Sequence, residues 1–204
     1  MQSALRDKGG VLYDGWGNIL IPEGERFVKR EIPVWQMAGF VFTGVLGTVL
    51  HFLFDWTGGS WVAALFSAVN ESIWEHKKLL FYPMVLFAAI EYKVWGKERS
   101  DLWCVKLLGI LLGLVLIPMV YYTYTGILGK SFDWLNITIF FLAAAVGYYV
   151  ETRLFQKGGC RLPAWVAIAA LCLIGLTFTA LTFLPPQIPF FRDPVTGTYG
   201  YFRK

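Results

Sequence analysis

The sequence predicts an all-α, polytopic membrane helix bundle, with about five transmembrane helices and a short re-entrant or interfacial helix. Three observations carry that reading. The chain is 56% hydrophobic and 16% charged, with a mean hydropathy of +0.54, whereas an average soluble domain carries about 25% charged residues. Its apolar residues fall in long blocks, near the roughly 20 residues that cross a bilayer as a helix. The blocks do not alternate apolar with polar residues, as the strands of a membrane barrel must.

The elements follow in order. Residues 1–31 are polar and rich in turn signals ("DGWGN", "IPEGE"). They lack the apolar core of a signal peptide. They predict a polar cytoplasmic segment with a hairpin around Gly15 to Asn18. The first apolar block runs from Ile32 to about Trp56, and Gly58-Gly59 ends it with a turn signal. Ser60 to Lys78, "SWVAALFSAVNESIWEHKK", has an apolar part (Trp61 to Val69) too short to span. It reads either as a short re-entrant or interfacial helix capped by Ser60, or as an extension of the second block. The second block runs from about Leu79 to Trp95, the third from about Leu102 to Tyr124 and the fourth from about Trp134 to Val150. The fifth runs from about Leu162 to Leu184, where Pro185-Pro186 stops it. Residues 32–184 are thus the transmembrane domain and 185–204 an extracytoplasmic tail. In lipid each backbone amide must bond within its own segment, which makes these blocks helices.

Charge gives the orientation. Twelve of the eighteen Lys and Arg residues fall before the first block, between the second and third, or between the fourth and fifth. The positive-inside rule then places the N-terminus in the cytoplasm and the C-terminus outside the cell membrane. The net charge of +4 is scattered between apolar blocks, which argues against a nucleic-acid partner. The partners expected are membrane lipids and a lipid or amphiphilic substrate, and a homo-oligomer is compatible with the sequence. Cys104, Cys160 and Cys172 are odd in number, which argues against a disulfide framework. Glu91 with Lys93, and Glu151 with Arg153, read as pairs at the ends of spans. There is no Walker motif, GxSxG or dinucleotide fingerprint.

One polar cluster carries the functional reading. Both histidines, His51 and His76, lie in a window of 26 residues that also holds Asp55, Glu71 and Glu75. Helical spacing puts His51 beside Asp55, Glu71 beside Glu75, and Ser72 beside His76. Imidazoles and carboxylates are normal zinc ligands, and three of them with a water make a catalytic site. His51, Asp55 and His76 are the expected ligands of zinc or another divalent metal. Glu71 or Glu75 is the expected general base on the metal-bound water. Asn70, Ser72, Trp74, Lys78 and Asn136 are the expected substrate contacts. This arrangement predicts a metal-dependent hydrolase that acts on a lipid or amphiphile from the outer leaflet. Two other readings use the same residues. One is a binder or transporter of a small solute or cation, with a Glu/His relay. The other is a non-catalytic membrane subunit whose cluster is a solvated helix face with ordinary i,i+3 and i,i+4 pairs.

The stretch "LHFLFDWTGGSWVAALFSAVNESIWEHKKLLFYPM" resembles an uncharacterised bacterial integral membrane family, domain of unknown function 6512. The likeness covers most of Val34 to Tyr201; "AVNESIWEHKK" is its most specific piece, and "PPQIPFFRDPVTGTYGY" matches the family's ending. The resemblance implies no substrate, cofactor or reaction. A looser analogy links the His and Asp residues to intramembrane metal hydrolases of the ceramidase type. It departs from them in having five spans rather than seven and no second H-x-x-x-H pair.

Overall fold

The computed structural model describes residues 30–201, together with the backbone of three short strands that precede them. The strands are β1 (Leu5–Arg6), β2 (Leu12–Tyr13) and β3 (Ile19–Leu20), paired antiparallel in that order. The β2–β3 pairing, with Tyr13 opposite Ile19, flanks the expected hairpin. Gly15 to Asn18 themselves lie outside the described residues.

Five long helices follow: α1 (Ile32–Trp56), α3 (Ile73–Val94), α4 (Leu102–Leu128), α5 (Asp133–Gln156) and α6 (Ala164–Phe183). A single turn of helix, α2 (Trp61–Ala64), lies between the first two. They run up and down. α1, α3, α4 and α5 form a ring of neighbours, and α6 packs against α3 and α4. The family of helices α1, α4, α5 and α6 is long and apolar enough to cross a membrane, with mean hydropathies of 1.8, 2.3, 1.4 and 2.3 over their best windows. α3 has the length, 22 residues or about 33 Å. It falls outside that group because it carries Glu75, Lys77, Lys78, Glu91 and Lys93.

Helix α1 explains how such a bundle packs. Its buried face is Gln36, Gly39, Thr43, Gly47, Leu50 and Phe54. Its exposed face is Val34, Met37, Val41, Val45 and Phe52. Between its ends small and polar residues point in and large apolar ones point out, with Ile32, Leu50 and Phe54 buried toward the ends, unlike a soluble helix. That pattern suits hydrocarbon as the solvent, where close packing and internal hydrogen bonds hold helices together. Gly47 shows the closeness required. Pro83 has no N–H, so the Leu79 carbonyl loses its helical partner. A Cβ on Gly47 would lie 2.8 Å from that oxygen and 2.7 Å from the Phe140 ring. The core between the helices is built from Leu80, Met84 and Phe87 of α3, Ile110 and Leu114 of α4, and Tyr148 of α5, among others.

The stretch between α1 and α3 combines both expectations. Gly58 and Gly59 turn the chain at φ +63° and +76°, a region that favours glycine. Ser60 occupies the N-cap position of α2 but makes no side-chain cap bond. The second span also begins earlier than Leu79. Its cap is Ser72, whose Oγ accepts from Glu75 N at 3.3 Å.

Three expectations are corrected. Glu91 and Glu151 do not reach out from the ends of spans. Both are fully buried and share Lys106, while Lys93 and Arg153 are exposed. Cys104 and Cys160 form a disulfide with Cα atoms 5.8 Å apart, leaving Cys172 as the free thiol. An odd cysteine count does not forbid one bridge. Glu71 does not share a helical face with Glu75, because it precedes the cap of α3.

A buried ion pair within α3 is hydrogen-bonded to the neighbouring elements. Lys78 Nζ lies 2.5 Å from Glu75 Oε2, and neither side chain is more than 1% exposed. Lys78 also donates to the Ala64 carbonyl at 2.9 Å and to Thr182 Oγ1 at 3.0 Å. Lys78→Met is expected to destabilise the protein by about 3–5 kcal/mol, because it leaves the Glu75 carboxylate buried and alone. Combining it with Glu75→Gln should recover most of the loss. Thermal unfolding in detergent measures both; a single variant as stable as wild type would show that the pair does not hold α3 to α6.

Candidate functional site

The site forms where the end of α1 meets the start of α3. His51 projects from the second-last turn of α1, and His76 from the first turn of α3. Their ring centroids are 5.4 Å apart. Glu71 comes from the loop before α3 and reaches both rings. Its Oε2 is 3.3 Å from His76 Nε2, and its Oε1 is 4.0 Å from His51 Nε2. One ligand atom from each of the three lies within 4.8 Å of the other two.

Local sequence explains the placement. Asn70 Oδ1 accepts from Ser72 N at 2.9 Å, and Ser72 Oγ caps the helix by accepting from Glu75 N. Ser72-Ile73-Trp74-Glu75 has the spacing of a capping box. The same turn fixes the imidazole of His76, whose Nδ1 is 3.0 Å from the Ser72 carbonyl. A carbonyl only accepts, so Nδ1 carries a proton, and Nε2 faces Glu71, to which it donates when the ring is protonated. His51 Nδ1 is buried without a hydrogen-bond partner. The His51 and His76 side chains are 29% and 28% exposed, and that of Glu71 is 49% exposed. The site therefore opens to the surface at the end of the bundle.

The other expected residues take separate places. Asp55 is exposed and lies outside the three-residue group. Glu75 is 1% exposed and engaged on both oxygens. Oε2 meets Lys78 and Val69 N, and Oε1 lies 2.8 Å from Thr182 Oγ1. Lys78 is its buried partner. Asn70 donates from Nδ2 to the Gly200 carbonyl at 3.1 Å and so holds the C-terminal tail. Trp74 packs against Phe178 and Phe191, each 4.8 Å away between centroids. Asn136 sits in the first turn of α5, where Tyr124 OH and Ser131 Oγ hold it. Thr182 and the tail are absent from the expected set. Tyr201 N donates to the Thr182 carbonyl at 2.8 Å, and Tyr201 OH to the Gly59 carbonyl at 3.0 Å. The tail thus covers the Glu75–Lys78 pair beside the histidines.

A model of a family of unknown function (DUF6512) matches residues 26–201. The chain belongs to that family. No curated protein and no solved structure matches it.

Acid should act on this site through Glu71. The hydrogen bond from His76 holds its carboxyl below the ordinary glutamate range, against the opposing effect of burial. A carboxylate lowered in the folded state adds stability above its ordinary range near pH 4.3, and that stability is lost as pH falls through the lowered value. Glu71→Gln is therefore expected to melt below wild type at neutral pH, with the gap closing in acid. Melting curves across that range check the sign; a gap that widens in acid would contradict it.

Proposed function

We propose that this member of the family holds a divalent transition metal, zinc by the chemistry of its donors, between His51, Glu71 and His76. On this reading the metal activates water for hydrolysis of a lipid or amphiphile. The observation that carries it is the fixed ring of His76. Its Nδ1–H is bonded to the Ser72 carbonyl, leaving Nε2 aimed at Glu71 and within reach of the same space as His51. Metal-bound histidines are held by such a bond from the second nitrogen, which sets the tautomer and the ring plane. Two imidazoles and a carboxylate make a three-ligand set of the catalytic kind, with a fourth position open to water.

In this reading Glu71 is a ligand rather than a base, and Asp55 is not a ligand. Glu75 positions α3 instead of taking a proton, because both its oxygens are engaged. A bound ion lowers the pKa of its water to about 7, so hydroxide forms near neutral pH without a separate base. His51, Glu71 and His76 would hold the ion, which would supply activated water for cleaving an ester or amide of a substrate that approaches from the membrane surface. Charge placement supports an outward-facing site, since the Lys/Arg-rich loops lie at the opposite end of the bundle.

Elemental analysis of the purified protein, with hydrolysis of fluorogenic lipid esters and amides before and after chelation, tests the proposal. Near-stoichiometric metal is expected. His51→Ala, His76→Ala and Glu71→Gln should each lose most of it, and Asp55→Asn should keep it. A wild-type preparation that neither contains nor takes up metal would sink the reading. Metal without turnover would move the site to cation binding. Orientation has its own test in intact cells: a cysteine at Lys130 should react with an impermeant maleimide and one at Lys157 should not. The reverse pattern would turn the site toward the cytoplasm.

A further inference from the structure

A second group of charges lies about 24 Å along α3 from the first, by the rise of the helix. Lys106 of α4 stands between Glu91 of α3 and Glu151 of α5. Its Nζ is 2.6 Å from Glu151 Oε2, is paired with Glu91 Oε2, and donates to Gln36 Oε1 at 3.2 Å. Gln36 Nε2 donates in turn to Glu91 Oε1 at 2.7 Å. None of the four side chains is more than 2% exposed. The ammonium group thus hydrogen-bonds Gln36 and Glu151 and pairs by charge with Glu91. Glu151 Oε1 is left without a hydrogen-bond partner, packed where a Cβ on Gly109 would strike it.

Charge does not balance in this set. Two carboxylates face one ammonium, and among the described residues Lys106 is the one cation within 4.0 Å of either. The rings of Phe87, Tyr148 and Phe155 close the site around Nζ. Tyr148, the remaining titratable group facing it, is bonded through its hydroxyl to Thr43 at 2.8 Å. α1 contributes Gln36, and α6 contributes no charge. An unmatched charge in such a place is neutralised rather than kept.

We propose that Glu91, Lys106 and Glu151 form a proton-binding site within the bundle, with the proton held on Glu151. Uptake converts the Glu151 carboxylate and a hydronium ion into the carboxylic acid and water. It leaves Glu91 and Lys106 as a neutral pair. Glu151 rather than Glu91 takes the proton because both Gln36 and Lys106 favour the Glu91 anion, whereas Lys106 alone favours that of Glu151. Carboxylates inside membrane helices serve as stations for protons, and this one stands independently of the metal proposal.

Infrared spectroscopy of the full chain in liposomes tests it. At neutral pH a protonated-carboxyl band is expected, shifted in heavy water because the proton exchanges. Glu151→Gln should abolish the band while eluting and melting as wild type, since the amide is isosteric and the remaining pair is neutral. Gln36→Met should leave the band frequency unchanged. The proposal is overturned by no band in wild type, by no shift in heavy water, or by a band that survives Glu151→Gln. A frequency that moves with Gln36→Met places the proton on Glu91 and also overturns it. Failure of Glu151→Gln to fold would mean that the site needs this carboxylate charged, and overturns it too.

Discussion

Charges that lie inside a membrane bundle must find one another, and here those meetings decide which helices touch. Lys78 joins α3 to the turn at Ala64 and to Thr182 of α6. Lys106 joins α4 to α3 and α5, and through Gln36 to α1. Breaking either set leaves a buried charge with no partner, at a cost of several kcal/mol. The apolar contacts between helices are less selective, because the lipid offers much the same contacts. The ion pairs therefore specify the neighbours, and the small residues let those neighbours approach.

The two ends of α3 consequently differ in kind. At its start, a balanced and buried Glu75–Lys78 pair stands beside a partly open group of His51, Glu71 and His76. At its far end lies an unbalanced set closed on all sides by rings. Openness and three donors suit a ligand that arrives from water; closure and one missing positive charge suit the smallest ligand available. The same helix thus carries the site proposed for a metal at one end and the site proposed for a proton at the other.

Much of this was legible in the sequence, because spans and loops are written in composition. Ile32 to Trp56 reads directly as a helix and is one. The two histidines were legible as a pair because they are the chain's full complement, and the hairpin between two spans returns them to one end. Glu71 was harder. A helix wheel places it on α3, but the capping box beginning at Ser72 starts the helix after it, and that motif was the available signal. Glu91 and Glu151 were misread because each has a basic residue two positions on. Residues two apart in a helix do not face each other, so neither pair is a pair. Their true partner, Lys106, is on another helix, and no local pattern reports it. The Cys104–Cys160 bridge spans 56 residues and depends on the same tertiary approach.

The docking of the tail has a consequence for the order in which the protein is made. Asn70 waits for Gly200, and Gly59 for Tyr201, contacts that close over 130 and 142 residues. Thr182, to which Lys78 donates, likewise follows it by 104 residues. The first hairpin therefore carries its lysine and glutamate already paired, with the bonds to Ala64 and Val69 available but those to Thr182 unmade. It waits, incompletely bonded, until α6 has been made. A chain cut before α6 lacks Thr182, and with it the hydrogen bonds that complete the buried Glu75–Lys78 pair.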